Sequence, residues 1–228
     1  YTLVYNVLSF GTAVMFGAFV YFLTQMKSVS KQYQAGIAVS AIVVGIAGYH
    51  YYRIWSDFGE GVMNEGYRYA DWLITVPLLI VELLIVLGVA QKDRTSLMLK
   101  LVPASILMIG LGYPGEVADG NGAKWTFWIL ALIPFAYILK TLYDELQKAG
   151  QRETGAVAKQ IKNATYVLLS TWLVYPIAYL FPIFDANSEA LETLRQVGYT
   201  FADITSKCLY GLMIVWIAKA RTNAESNA

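Results

Sequence analysis

Five ionisable residues fall inside long apolar stretches of the chain: Arg68, Asp71, Glu82, Asp203 and Lys207. Asp203 and Lys207 are four residues apart, so on a helix they share a face one turn apart. Arg68 and Asp71 are three apart and also share a face. Asp71 and Glu82 lie nearly in line, about 16 Å apart along a helix axis. Lys207 and Arg68 balance Asp71 and Asp203 in charge. Glu82 is left over within LLIVELLIV, where loss of hydration favours the neutral acid. A buried cation with carboxylates on one side and a neutral acid on the other is the least that a proton relay requires. A lysine kept from water is also a candidate Schiff-base nucleophile. Trp72, Trp128, Trp172, Tyr175 and Tyr179 could wall a ligand, although aromatics in such segments serve equally as packing or interface residues. No glycine-rich phosphate loop is present, so ATP is not the expected energy source.

The elements that position these residues follow from composition. Of the 228 residues, 57% are hydrophobic and 14% charged, against about 25% charged in an ordinary soluble domain. The net charge is +1. These values exclude a disordered chain, a strongly basic nucleic-acid binder and a typical soluble enzyme. The single Cys208 cannot form an internal disulfide, and the single His50 leaves no room for a multi-histidine metal site. Seven apolar stretches approach the length that crosses a bilayer: Leu3–Met26, Ala35–Trp55, Tyr67–Val89, Leu97–Tyr113, Trp125–Tyr143, Ala164–Phe184 and Val197–Ala218. The first lacks a basic leader and reads as a span rather than a signal peptide. Short polar gaps separate the stretches, so residues 1–228 are expected to form one seven-helix domain in a lipid bilayer.

Charge sets the expected orientation. On the C-terminal side lie Lys27, Lys31, Lys92, Arg94, Lys100, Lys140, Lys148, Arg152, Lys159, Lys162, Lys219 and Arg221; on the other lie only Arg53, Lys124 and Arg195. The positive-inside rule then predicts a cytoplasmic C-terminus and an outside N-terminus. Asp71 and Asp203 fall on the outer side of Lys207, and Glu82 on its inner side.

Each charge in the spans costs about 2.5–3.5 kcal/mol at a helix centre. Arg68, near a span end, could snorkel; Lys207, well inside its span, could not. An ion-pair cluster that merely joins two helices is the bland explanation. Such pairs stabilise weakly, and intramembrane ionisable residues more often mark an ion or proton path.

The segments RYADWLITVPLLIVE (Arg68–Glu82), WLVYPIAY (Trp172–Tyr179) and FADITSK (Phe201–Lys207) resemble the third, sixth and seventh helices of microbial rhodopsins, above all the proteorhodopsin and xanthorhodopsin groups. The match runs in order over nearly the whole chain. The resemblance implies a light-driven outward proton pump of a bacterial inner membrane, with all-trans retinal on Lys207 as a protonated Schiff base. It implies that Asp71 is the counterion and proton acceptor, Asp203 the second counterion, and Arg68 a tuning residue. Thr75 occupies the middle of the acceptor–threonine–donor triad, and Glu82 is the cytoplasmic donor. Sodium-pumping relatives carry Asn, Asp and Gln at the triad, and chloride-pumping ones lack the acceptor acid. His50, in GYHYY, resembles the second-helix histidine that bonds the acceptor aspartate and tunes its proton affinity. The retinal wall would include Trp72, Leu79, Met108, Trp128, Phe135, Trp172, Tyr175 and Tyr179. Leu79 goes with green absorption. Trp128 stands where carotenoid-binding relatives carry glycine, so no carotenoid antenna is expected. A pentamer or hexamer is implied, with His50 near the protomer contact.

Some positions depart from the pattern. Arg195 stands where bacteriorhodopsin-like pumps place a proton-release acid, which leaves that group unassigned. Glu116, in GYPGE, matches a family glutamate of unclear role, and Asp185, Glu189 and Glu192 read as solvated loop acids. Pro77 and Pro176 are expected either as bend points for an access switch or as static kinks. The alternative function is a retinal-based light sensor without net pumping, which has no need of a donor such as Glu82. A passive channel or non-photoactive receptor has no need of a buried lysine between two carboxylates.

Overall fold

The computed structural model describes residues 1–226, and all regular structure in them is helical. Seven helices are long and apolar enough to cross a membrane: α1 (Thr2–Ser28), α2 (Lys31–Gly59), α3 (Glu65–Val86), α4 (Gln91–Glu116), α5 (Asn121–Arg152), α6 (Gly155–Phe184) and α7 (Glu189–Ser226). Each contains one predicted span or most of it, and most extend further into polar sequence. Backbone hydrogen bonding continues through residues such as Gln91–Arg94 that apolar length does not count. Local chemistry sets several ends. Asn64 accepts a hydrogen bond from the Gly66 N–H at 3.0 Å to cap α3, and Ser188 accepts from the Leu191 N–H at 3.3 Å to cap α7.

Sequential helices pack side by side, and α7 closes the ring against α1, α2 and α6. Helices α3 and α7 are the most enclosed, while α4 and α5 show most of their surface to the outside. The outer surface carries Phe10, Val20, Ile42, Leu107, Ile129, Ile133, Ile177 and Phe201, all exposed. An apolar exterior around a partly polar interior is what a bilayer solvent requires. The chain is thus an all-α, multi-pass membrane protein. Buried hydroxyls inside the bundle bond back along their own helix: Thr12 to the Leu8 carbonyl, Thr165 to Ile161 and Thr200 to Gln196, each at 2.9 Å.

Two irregularities lie beside the charged residues. Helix α6 is interrupted at Leu173 and again at Leu180. Pro176 and Pro182 have no N–H to reach the carbonyls four residues back, and the backbone tightens instead: Leu173 N–H bonds Ser170 and Leu180 N–H bonds Ile177. Helix α3, by contrast, runs unbroken through Pro77. In α7 the stretch Ile204–Leu209 is a π-helical turn, and Lys207 sits within it. Such wide turns inside α-helices recur at functional sites.

Close helix contacts depend on two glycines. A Cβ on Gly11 would stand 2.9 Å from the Tyr51 ring and 3.1 Å from Thr200 Cγ2. One on Gly211 would stand 2.6 Å from the Phe22 ring and 3.3 Å from Ser40 Cβ. Gly211→Ala should therefore destabilise the protein by about 1–3 kcal/mol, read as a lower thermal midpoint of the purified protein in detergent. Gly17→Ala, into open space, should leave the midpoint unchanged or slightly raised. Equal midpoints for the two variants would contradict the close approach of α1, α2 and α7.

Candidate functional site

Helices α3 and α7 bring the predicted charges together at the bundle centre. Lys207 is 1% exposed, and among the described residues it is the one buried lysine. Its Nζ lies 3.2 Å from Asp71 Oδ2 and donates a hydrogen bond to Asp203. The two carboxylates are held very differently. Asp203 also accepts from Trp72 Nε1 at 3.1 Å, Tyr175 OH at 2.8 Å and Tyr51 OH at 2.7 Å. Neither oxygen of Asp71 accepts a hydrogen bond from the described residues. Asp71 keeps its position through the lysine's charge and through its own backbone carbonyl, which accepts from Thr75 Oγ1 at 2.9 Å.

His50 stands beside this pair. Its Nδ1 is 4.0 Å from Asp71 Oδ1, beyond hydrogen-bond reach, and donates instead to the Ile46 carbonyl at 3.0 Å.

Arg68 is 1% exposed and does not snorkel, contrary to the expectation from its place near a span end. Partners from three helices hold it inside. Its Nη1 donates to Tyr51 OH at 3.0 Å and lies 3.6 Å from Asp203 Oδ2. Its Nη2 donates to Gln196 Oε1 at 2.7 Å, and its Nε to Glu65 Oε2 at 3.3 Å. The rings of Tyr51 and Tyr199 flank the guanidinium, with centroids at 5.4 and 5.3 Å.

Toward the start of α7 a second charged cluster continues from Arg68. Arg195 pairs with Glu116, with Glu65 at 3.4 Å and with Glu192 at 2.8 Å. Glu116 also accepts from Tyr69 OH at 2.9 Å and Tyr199 OH at 3.2 Å. Gln196 donates to Glu65 and Glu192 and links the cluster to Arg68. Glu192 is therefore part of this network rather than a solvated loop acid, while Asp185 and Glu189 are exposed.

At the opposite end of α3, Glu82 is fully buried. It has a partner that its apolar sequence context did not suggest: Ser40 on α2 donates its hydroxyl to Oε1. Oε2 has no partner among the described residues.

Next to the charged centre is an apolar cavity of about 100 Å³. Trp72, Met108, Trp128, Phe135, Trp172, Tyr175 and Tyr179 all line it. Leu79 is buried one turn beyond the wall residue Val76 but is not on the wall. The indole of Trp128 is fixed by a 2.9 Å bond to the Pro176 carbonyl. Trp72 and Tyr175 turn apolar faces to the cavity and polar atoms to Asp203, so the cavity abuts the carboxylate that holds Lys207. Its apolar aromatic walls beside a buried amine suit an elongated polyene aldehyde.

Sequence reading missed Tyr51, Gln196, Ser40, Tyr69 and Tyr199. Tyr51 follows His50 directly, but nothing in GYHYY distinguishes the tyrosine that faces inward. Its bond to Asp203 spans 152 residues of chain.

Comparison with known proteins agrees with this arrangement. The family described as bacteriorhodopsin-like protein matches residues 3–221. The chain is 31% identical over 219 residues to the green-light absorbing proteorhodopsin of Gamma-proteobacterium EBAC31A08, covering 94% of this chain and 86% of that protein. It is 27% identical over 218 residues to archaerhodopsin-2 of Halobacterium sp. (strain aus-2), covering 91% and 82%. The crystal structure of xanthorhodopsin, described as a light-driven ion pump with dual chromophore, superposes with a TM-score of 0.93 at 41% identity, over 99% of this chain and 96% of that one. A seven-helix membrane protein with this buried centre and these relatives belongs to the bacteriorhodopsin-like family: it is an ion-transporting microbial rhodopsin, close to the proteorhodopsins and xanthorhodopsin, in a family whose chromophore is retinal.

Proposed function

We propose that the chain is a light-driven outward proton pump, one retinal-binding domain over residues 1–228. The observation that carries this reading is the buried Lys207 nitrogen between two unequally bonded carboxylates. Retinal, held on Lys207 as a Schiff base, would supply a light-driven change of shape and of proton affinity at that nitrogen. Trp72, Met108, Trp128, Phe135, Trp172, Tyr175 and Tyr179 would hold and orient it and keep water out.

The proton roles follow from the hydrogen bonds. Asp203 receives donors from Tyr51, Trp72 and Tyr175, which stabilise its charged form, so it serves as the standing counterion. Asp71 has no such donors among the described residues and lies 3.2 Å from Nζ, so its Oδ2 is the better placed to take a proton. Thr75 fixes the backbone beneath that acid, and His50, 4.0 Å away, tunes it. Arg68 screens both acids from the outer side. Glu82, buried and neutral beside Ser40, holds the proton that restores the lysine nitrogen. The excess of Lys and Arg on the C-terminal side orients Glu82 toward the cytoplasm, so the transfer runs outward.

Trp128, fixed on the Pro176 carbonyl, stands where the resemblance gives carotenoid-binding relatives a glycine, so we infer no antenna. Leu79 is read as a green-absorbing choice. A bacterial inner membrane and a pentameric or hexameric assembly complete the reading, which draws on the proteorhodopsin relatives.

Two measurements test it. Borohydride reduction of the coloured protein, then peptide mass spectrometry, should find retinyl on the peptide that holds Lys207, and Lys207→Ala should give no visible band. Label on another lysine would overturn the attachment. In flash photolysis, Glu82→Gln should slow reprotonation of the lysine nitrogen by on the order of 10²-fold or more. An unchanged rate would remove Glu82 as donor and favour the sensor reading.

A further inference from the structure

A second cavity, of about 620 Å³, lies between the end of α5 and the start of α6, on the face that carries most of the chain's Lys and Arg. That is within the roughly 300–1,000 Å³ of ligand pockets, and nothing in the light-driven scheme uses it. Spacing along both helices sets its walls. Tyr143, Gln147 and Gln151 recur every four residues and present one face of α5. Lys159, Lys162 and Tyr166, three and four residues apart, do the same for α6. Buried Leu146, Ala149 and Ile161 give it an apolar floor.

Charge distinguishes this cavity from an ordinary gap between helices. The acids around it already have cations. Asp144 pairs with Lys140 at 2.7 Å, Glu145 with Lys148 at 2.6 Å, and Glu153, on the cavity wall, with Arg221. Lys159 and Lys162 have no acidic partner among the described residues. Lys162 lies instead over the Tyr166 ring, 5.7 Å from its centroid. The cavity therefore presents two uncompensated positive charges, and the side-chain amides of Gln147 and Gln151 add neutral donors.

The surroundings decide what kind of anion fits. In each column the tyrosine is the residue furthest from the turn that joins α5 to α6. Tyr143 and Tyr166 are 44% and 41% exposed, so the cavity opens sideways at its membrane end. Tyrosines in such places sit at the headgroup level of a bilayer. Past them, toward the middle of the bundle, Tyr137 and Ile133 on α5 and Leu173 on α6 are exposed. A basic, hydrogen-bonding end that continues between two tyrosines onto an apolar surface matches a molecule with a charged head and hydrocarbon tails.

We propose that the cavity between α5 and α6 binds the headgroup of an anionic phospholipid. Its phosphate is held by Lys159 and Lys162, and its acyl chains leave past Tyr143 and Tyr166. Basic pockets between spanning helices are suited to such headgroups. Free phosphate would satisfy the lysines but leave the apolar exit unused.

The test is native mass spectrometry of the purified full chain, titrated with dioleoyl phosphatidylglycerol, dioleoyl phosphatidylcholine or inorganic phosphate. Phosphatidylglycerol should form a saturable adduct, and phosphatidylcholine should bind more weakly. Replacing both lysines, Lys159→Gln with Lys162→Gln, should weaken the phosphatidylglycerol adduct by about tenfold or more. Both side chains are exposed, so the thermal midpoint should hold. Lys27→Gln with Lys31→Gln removes the same charge from exposed positions on the same face and should leave the adduct unchanged. Equal loss in the two double variants overturns the site, because binding then follows surface charge alone. Equal binding of the two lipids overturns the anionic headgroup, and displacement of the lipid by equimolar inorganic phosphate overturns the lipid in favour of a free anion. No saturable adduct overturns the proposal outright. A photoactivatable phosphatidylglycerol tests the unaltered chain as well: it should label residues 143–151 or 158–166, and label confined to other helices overturns the assignment.

Discussion

An ammonium group removed from water in the middle of an apolar bundle sets the requirements for much of this structure. Isolating such an ion costs several kcal/mol even after relaxation, and attraction to a counter-charge offsets this only where the remaining polar atoms are bonded too. Lys207 therefore needs Asp71 and Asp203. Asp203 in turn needs donors, which come from Tyr51, Trp72 and Tyr175 on three different helices. Trp72 and Tyr175 then form part of the cavity wall, so the bonds that compensate the ion also shape the ligand space. Tyr51 can reach inward only because Gly11 leaves room for its ring. The demand continues outward through Arg68 and Gln196 to the cluster around Arg195.

The result is uneven along the membrane normal. One side of Lys207 is densely bonded, with Arg68, Arg195, Glu65, Glu116 and Glu192 in a connected set. The other side is sparse: Glu82 has Ser40 for one oxygen and, among the described residues, no partner for the other. A dense network holds charge in place, whereas a sparse apolar region lets an acid stay neutral. In the proposed pump that difference would give the two ends of the path different work, through hydrogen-bond supply as much as through the acids themselves.

Much of this was legible in the sequence, for identifiable reasons. Apolar runs of bilayer length exposed all seven helices, and the four-residue spacing put Asp203 beside Lys207 on one helix. The cavity residues Trp72, Trp128, Trp172 and Tyr175 were accessible through the resemblance to microbial rhodopsins. Contacts between distant segments were not. Tyr51, Gln196 and Ser40 matter through polar tips that meet partners on other helices, and a single sequence carries no sign of such pairing. Arg68 looked free to snorkel because its distance from water was counted along one helix, while the neighbours that enclose it belong to others. Prolines were equally opaque: Pro176 accompanies a break in α6, but α3 continues through Pro77. The π turn around Lys207 is a matter of backbone register that its residue types do not announce.

The central claim is that light drives protons outward through this centre. The most direct measurement is the pH of an unbuffered suspension of cells that express the chain with retinal, under green light. Acidification that an uncoupler abolishes is the predicted result. A flat pH from coloured cells, or an alkalinisation that the uncoupler enhances, would contradict it, the second because another ion would then be moving and protons only following.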